Sequence, residues 1–172
     1  FRRVLFQSRV NILSPGPGVG GHCIAVDPWF IAATAPERTP LIQTARHVND
    51  GRPAVIAKQI ASLTSVKNGA PIACLGLSYK ADIDDLRESP SIHVVTELRN
   101  LVDNPIIVVE PHTEVLPKSL AALADTRLMP FDEAVAEAGA IVLLTDHKAF
   151  SIGNGEALKG KDVLNTRGAW SI

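Results

Sequence analysis

From residue 71 onward the chain alternates short runs of Val, Ile and Leu with stretches whose apolar residues recur every three to four positions, and no other feature restricts its fold as much. Strand-like runs fall at 71–77, 106–109, near 127–129, at 141–145 and at 162–165; helical patterns fall at 91–101, 116–123 and 132–138. Continuous apolar strands separated by helices read as strands buried on both faces. The alternation therefore predicts an α/β domain over residues 69–172, built on a doubly wound, mostly parallel sheet with helices on both sides. Ligands of such sheets bind beyond the carboxyl ends of the strands, where the strand order reverses.

Upstream the rhythm is helical. Residues 28–35 suit a short helix stopped at Pro36, and Leu41, Ile42, Ala45, Val48, Val55, Ile56, Ile60 and Leu63 recur near a 3.6-residue period. Gly51 and Pro53 interrupt that pattern, so either two helices meet there or one long helix bends. So apolar a segment needs a partner, expected outside the C-terminal part of the chain. His47, Asn49 and Asp50 near the break read as a polar site or as capping residues. Lys67-Asn68-Gly69-Ala70 reads as a linker.

Composition sets outer bounds. With 46% apolar and 20% charged residues among 172, one ordinary core can form, and a net charge of -1 provides no field for nucleic acid or anionic lipid. Two distant cysteines form neither a metal spacing nor a disulfide framework, which suits a reducing compartment. No apolar run is long enough to span a membrane and no secretory signal is present. The chain begins on Phe1 and is expected to be a fragment or processed product.

The stretch 15–29 carries the chemistry: Pro15-Gly16-Pro17-Gly18-Val19-Gly20-Gly21-His22-Cys23-Ile24-Ala25-Val26-Asp27-Pro28-Trp29. Gly16, Gly18 and Gly21 satisfy a dinucleotide fingerprint, but Pro15 and Pro17 sit inside the turn and Pro28 follows too soon for a long helix. Few side chains can cover a loop of Gly and Pro. Cys23 is either a nucleophile, with Asp27 as N-cap and Pro28 as first residue of the next helix favouring its thiolate, or a small buried apolar residue.

A second informative stretch, 76–90, follows the first strand. Asp82, Asp84 and Asp85 could suggest a hard cation or a phosphoacceptor pocket. Lys80 and Arg87 neutralise the cluster, and no acidic residue ends the central strand, so loop and capping roles fit better. Cys74 reads as core. Glu110 ends the second strand, where an acid can hold a ribose, but with no fingerprint ahead of it Glu110 reads as a turn residue. Asp146 and His147 are adjacent and read as a structural turn. The guanidinium of Arg167 suits a diphosphate or carboxylate.

Gly20-Gly21-His22-Cys23-Ile24, then Val26-Asp27-Pro28-Trp29, within the longer run 10–31, resembles the cysteine loop of the UDP-glucose/GDP-mannose dehydrogenase family, in its branch acting on UDP-N-acetylhexosamines. Gly76, Tyr79, Lys80 and Asp82, followed by Arg87-Glu88-Ser89, resemble a second motif of that family. The resemblance implies a Rossmann-like, UDP-sugar-binding domain at 69–172, a helical linker and dimerisation segment at 36–68, and a catalytic cysteine loop at 1–35. An N-terminal NAD-binding domain, and with it the family's catalytic Lys and Asn, would lie outside this chain, which alone would then be inactive.

The resemblance also implies roles. Cys23 would be the catalytic thiol in a two-step oxidation of a UDP-sugar C6 alcohol by NAD, through a thiohemiacetal and a thioester, with Asp27 assisting proton transfer. Arg9, Asn11, Ile12, Leu13, Gly20, Tyr79, Lys80 and Arg167 would contact the substrate, Arg9 by reaching into a neighbouring subunit; otherwise Arg9 is a solvated cation. Arg87 would reach toward the nicotinamide cofactor. His22 stands where the UDP-glucose branch has serine, and Val26 where it has lysine, which disfavours UDP-glucose. A cytoplasmic homodimer with no nucleic-acid or membrane partner is expected. The alternative is a nucleotide-binding or dimerisation module without chemistry.

Overall fold

The computed structural model describes residues 14–152 and 155–170. Helix α1 spans Asp27–Thr34 and is followed by a 3-10 turn at Pro36–Arg38. The cap differs from expectation: Val26 is the N-cap and Asp27 the first helical residue, because the Cys23 carbonyl already accepts the N–H groups of Val26 (3.0 Å) and Asp27 (2.8 Å). Pro28 then falls in the first turn, where its missing N–H breaks no hydrogen bond.

The break at Gly51 separates two helices, α2 at Pro40–Asp50 and α3 at Arg52–Ala61, with Pro53 in the tolerant first turn of α3. A short α4, Thr64–Lys67, leads into the linker. Asn104 fastens that linker by donating from Nδ2 to the carbonyls of Val66 (2.9 Å) and Ala70 (2.8 Å). Asp162 does so from the far edge strand, accepting the Ser65 N–H at 2.7 Å.

The α/β part comprises β1 (Ile72–Leu75), α5 (Pro90–Arg99), β2 (Ile106–Val109), α6 (Lys118–Ala121), β3 (Thr126–Leu128), α7 (Phe131–Glu137), β4 (Ala140–Leu143), a 3-10 turn (Glu156–Leu158) and β5 (Asp162–Asn165). The five strands form one sheet in the order β3-β2-β1-β4-β5, every neighbouring pair parallel. The order reverses between β1 and β4.

Alternate strand residues feed two cores, as a period of two requires. Ile72, Cys74, Ile106, Val108, Ala140 and Val142 face one side, under α3 and α5. Ala73, Leu75, Ile107, Val109, Ile141 and Leu143 face the other, under α7 and Phe150. One expectation is corrected here. Helix α3 does not wait for a partner outside the C-terminal part: Ile56, Ala57 and Ile60 are fully buried with Val94, Val95 and Leu98 of α5. Burying each large side chain contributes about 1.5–3 kcal/mol. This packing fixes the helical segment on the domain that would hold substrate. Helices α1 and α2 keep an outward apolar surface, with Leu41 81% and Val48 70% exposed.

Candidate active site

The cysteine loop lies across the carboxyl end of the sheet, and its glycines let it lie close. A β-carbon at Gly20 would collide with the Glu88 carbonyl and stand 2.7 Å from Pro90 Cδ and 2.8 Å from Tyr79 Cβ. Gly21, at φ +87°, rests on the Tyr79 ring, and Gly16 leaves room for the Arg167 side chain. The close approach expected of Gly20 is thus made to residues of this same chain. Past this contact the chain turns at Cys23, whose side chain is exposed.

Helix α2 holds the loop from its other side. Asn49 accepts the Val19 N–H at 2.7 Å and donates to the Val19 carbonyl at 3.2 Å. Buried Arg46 donates from Nη1 to the Ile24 carbonyl at 3.4 Å and pairs through Nη2 with Asp50 at 2.5 Å, while its Nε is without a partner. Trp29 of α1 meets the His47 ring edge-on at 5.1 Å between centroids. The sequence placed Asn49 near the break and left it open between a polar site and a cap; Gly51 follows the helix, and Asn49 instead clasps Val19.

Under the loop, the turn after β1 is built on a buried hub. Glu110, expected as a turn residue, is 5% exposed and holds its turn from within. Its Oε2 accepts the N–H groups of Leu77 (2.7 Å) and Ser78 (3.1 Å), and its Oε1 that of His112 (3.2 Å). Burial opposes the charge; the hydrogen bonds from His147 and from the Leu77 N–H outweigh it and hold the carboxyl below its ordinary range.

His147 completes the hub. Its Nδ1 accepts the Asp82 N–H at 3.0 Å, which leaves Nε2 to donate toward Ser78 Oγ (3.1 Å) and Glu110 Oε2 (3.3 Å). Asp146 turns away to Arg167, Oδ1 to Nε 2.8 Å, so the adjacent pair does not face itself. Asp82, His112 and His147 place ligand-type atoms within 4.8 Å of one another, as a metal site would. Both His147 nitrogens are engaged within the chain, which accounts for the clustering. Gly76, at φ +88°, packs its α-carbon against Thr145 where β1 and β4 part, and Ser89 caps α5 while donating to the Leu77 carbonyl.

The cations distribute unevenly. Arg87 forms a two-pronged pair with Asp85 (2.9 and 2.7 Å), which draws the Asp85 carboxyl down to about 2. Asp85 in turn raises Arg87, with smaller contributions from Tyr79 and Cys23, so the guanidinium stands within electrostatic range of the thiol. Lys80 is exposed on the same loop, and Tyr79 is half-buried. Gly20 and Gly21, just before Cys23, rest on Tyr79, with Arg167 beside Gly16 at the foot of the loop. Asp27 is exposed one turn beyond the thiol. Arg9, Asn11, Ile12 and Leu13 lie outside the described residues.

A dinucleotide cradle is not found among the described residues. The three glycines of the apparent fingerprint sit against the chain's own Arg167, Pro90 and Tyr79, and the ribose position at Glu110 is filled by backbone N–H groups. The described residues do not fit NAD as a resident group.

Comparison with known proteins gives two matches to one family. The central domain of the UDP-glucose/GDP-mannose dehydrogenase family matches residues 3–51, and its UDP binding domain matches residues 73–171. The NDP-N-acetyl-D-galactosaminuronic acid dehydrogenase of Ralstonia nicotianae is 48% identical over 163 residues, covering 95% of this chain and 38% of that protein. The UDP-N-acetyl-D-mannosamine dehydrogenase of Escherichia coli K12 is 44% identical over 170 residues, covering 94% and 40%. A solved UDP-D-ManNAc dehydrogenase from Pyrococcus horikoshii superposes with TM-score 0.76 at 30% identity, over 98% of this chain and 40% of that one. The chain thus spans about 40% of the length of these relatives.

Proposed function

The chain belongs to the UDP-glucose/GDP-mannose dehydrogenase family, and on that premise we propose that it is the C-terminal part of an NAD-dependent UDP-N-acetyl-D-mannosamine 6-dehydrogenase. The observation that carries this reading is an exposed thiol on a loop laid over Tyr79 and Pro90 at the carboxyl edge of the sheet. NAD, bound by residues beyond this chain, supplies the uptake of two hydrides from the sugar C6.

This chain's residues do the rest. Once the C6 alcohol has become an aldehyde, the Cys23 sulfur adds to the carbonyl carbon and the carbonyl oxygen takes a proton, giving a thiohemiacetal. Loss of the second hydride from C6 and of the hydroxyl proton leaves a thioester. Water attacks that carbonyl, the C–S bond breaks, and the carboxylate departs as Cys23 regains its thiol state. Asp27 orients the water or takes its proton. Tyr79, Lys80 and Arg167 hold the UDP-sugar with Gly20 and, from the segment outside the described residues, Arg9, Asn11, Ile12 and Leu13; Arg87 faces the cofactor. Two free cysteines, one of them required as a thiol, support a reducing compartment such as the cytoplasm for the enzyme.

A thiol-labelling experiment on the full-length enzyme tests the assignment. Burial pushes the Cys74 thiol up to about 12, so it stays inert. Iodoacetamide is expected to modify Cys23 selectively, with labelling slowed at least about tenfold by saturating UDP-N-acetylmannosamine. Modification of neither cysteine, or labelling of Cys23 indifferent to every UDP-sugar, overturns it. The 48% identity to an N-acetylgalactosaminuronic acid dehydrogenase favours a second reading, the galacto epimer, and parallel turnover of the two sugars separates them.

The outward surface of α1 and α2, with Phe30, Ile31, Leu41 and Val48 exposed, is assigned to a second copy of the chain, making a homodimer. Sedimentation should show a dimer that Leu41→Asp with Val48→Asp converts to monomer. A monomeric parent protein removes this assignment.

A further inference from the structure

We propose that Asn49, with Arg46 one turn before it, is the positioning residue that aims the Cys23 thiol, an inference that rests on Cys23 being the nucleophile. The loop has no regular structure, so something rigid must fix the sulfur. Helix α2 provides it at two points that bracket the thiol, Val19 before it and Ile24 after it. Residues 46 and 49 are three apart and share one face of α2.

The Asn49 contact is chemically selective. One side chain accepts the Val19 N–H on Oδ1 and donates from Nδ2 to the Val19 carbonyl, as a neighbouring backbone would, and a carboxamide carries that acceptor and that donor on one planar group. Gly18, at φ +148°, lies against Pro90, where a β-carbon would stand 3.2 Å from Pro90 Cβ. Opposite α2, Gly20 presses on Glu88, Pro90 and Tyr79. The loop is held between α2 and the substrate-binding turn, and a shift at Val19 moves Cys23 relative to Tyr79 and Arg87.

The consequence falls on one half of the reaction. The thiol has no work before the aldehyde exists, so a displaced thiol spares the first oxidation and slows the second. In the full-length enzyme, Asn49→Leu is expected to lower the rate of acid formation by about 10- to 100-fold, the scale of an ångström-sized misplacement. KM for the UDP-sugar should stay within about twofold, because the nucleotide-holding residues are untouched. NADH formed per sugar should fall from two toward one, with aldehyde captured by hydroxylamine. Asn49→Asp keeps the bond from the Val19 N–H but loses the donor and should be intermediate; Asn49→Gln keeps both functions and should recover part of the loss.

Overturning results are equally definite. A folded Asn49→Leu enzyme with two NADH per sugar at an unchanged rate refutes the assignment. So do equal losses in Asn49→Asp, Asn49→Gln and Asn49→Leu accompanied by a proportional rise in KM, which mark a purely structural role. If Asn49→Leu fails to fold, the Asp and Gln pair decides alone by its stoichiometry. Should Cys23→Ala retain acid formation, the nucleophile assignment itself falls; should it lose it while every Asn49 variant behaves as the parent, only the positioning role does.

Discussion

Cys23→Ala in the full-length enzyme is expected to lower the rate of uronic acid formation by about 10³-fold or more, the scale on which removal of a covalent nucleophile acts. The side chain is exposed at a turn made when its own carbonyl accepts the Val26 and Asp27 N–H groups, so its loss opens no core cavity. Thermal stability should therefore stay close to that of the parent. The sugar should stop at the aldehyde, with one NADH per sugar, and product analysis by chromatography against an aldehyde-trapping reagent checks this. Cys74→Ala is the matched control: its sulfur is sealed in the β1 core among Ile72, Ile106 and Val108, so it should cost stability and leave the stoichiometry at two. Acid formation surviving in Cys23→Ala refutes the covalent route, whatever the fold.

These two cysteines show what was readable before any coordinates. Apolar neighbours on both sides put Cys74 in a strand, whereas Cys23 was left between an open thiol and a buried one until the structure showed it exposed; side-chain period is a local property. β2 and β5 were legible to the residue for the same reason. β1 was read three residues too long, by Pro71 at its start and by Gly76 and Leu77, which continue its apolar run, whereas Gly76 adopts φ +88° and turns the chain where the sheet order reverses. Periodicity showed that α3 has an apolar face but not that α5 would cover it, since a pattern names a face and not its partner. Asp27 was displaced from the cap by hydrogen bonds that start at Cys23. The long bonds of Asn49 and Glu110 escaped the sequence for one cause: their partners include backbone groups 30 and 32 to 33 residues away, and no local rule sees a bond of that span.

Glu110→Ala is expected to destabilise the domain by about 3–5 kcal/mol, because it strips the acceptor from buried donors and leaves a hub half-satisfied. The N–H groups of Leu77 and Ser78 and the Nε2 of His147 all lose their carboxylate at once, and that of His112 loses it at the rim. Glu110→Gln keeps one acceptor oxygen but turns an NH2 group toward donors, and about 2 kcal/mol is expected. The pH dependence follows from the sign of the shift. Glu110 is held below its ordinary value in the folded chain, so the unfolded chain takes up its proton first as pH falls. Its contribution is present above about pH 4.3, the ordinary glutamate value, and is lost as pH drops through the lower folded value. Urea unfolding at pH 7, 5 and 3.5 should show the gap between parent and Glu110→Gln closing at the acid end; a gap equal at all three values refutes the linkage. Function should change in a way Cys23 and Asn49 variants do not. Leu77 and Ser78 directly precede Tyr79 and Lys80, so a loosened hub should raise KM for the UDP-sugar while each sugar oxidised still yields two NADH. On the proposed assignment, binding and thiol chemistry would then separate along the chain: the hub under the sheet's switch point would set how the nucleotide is held, and the clasp from α2 where the sulfur meets the sugar.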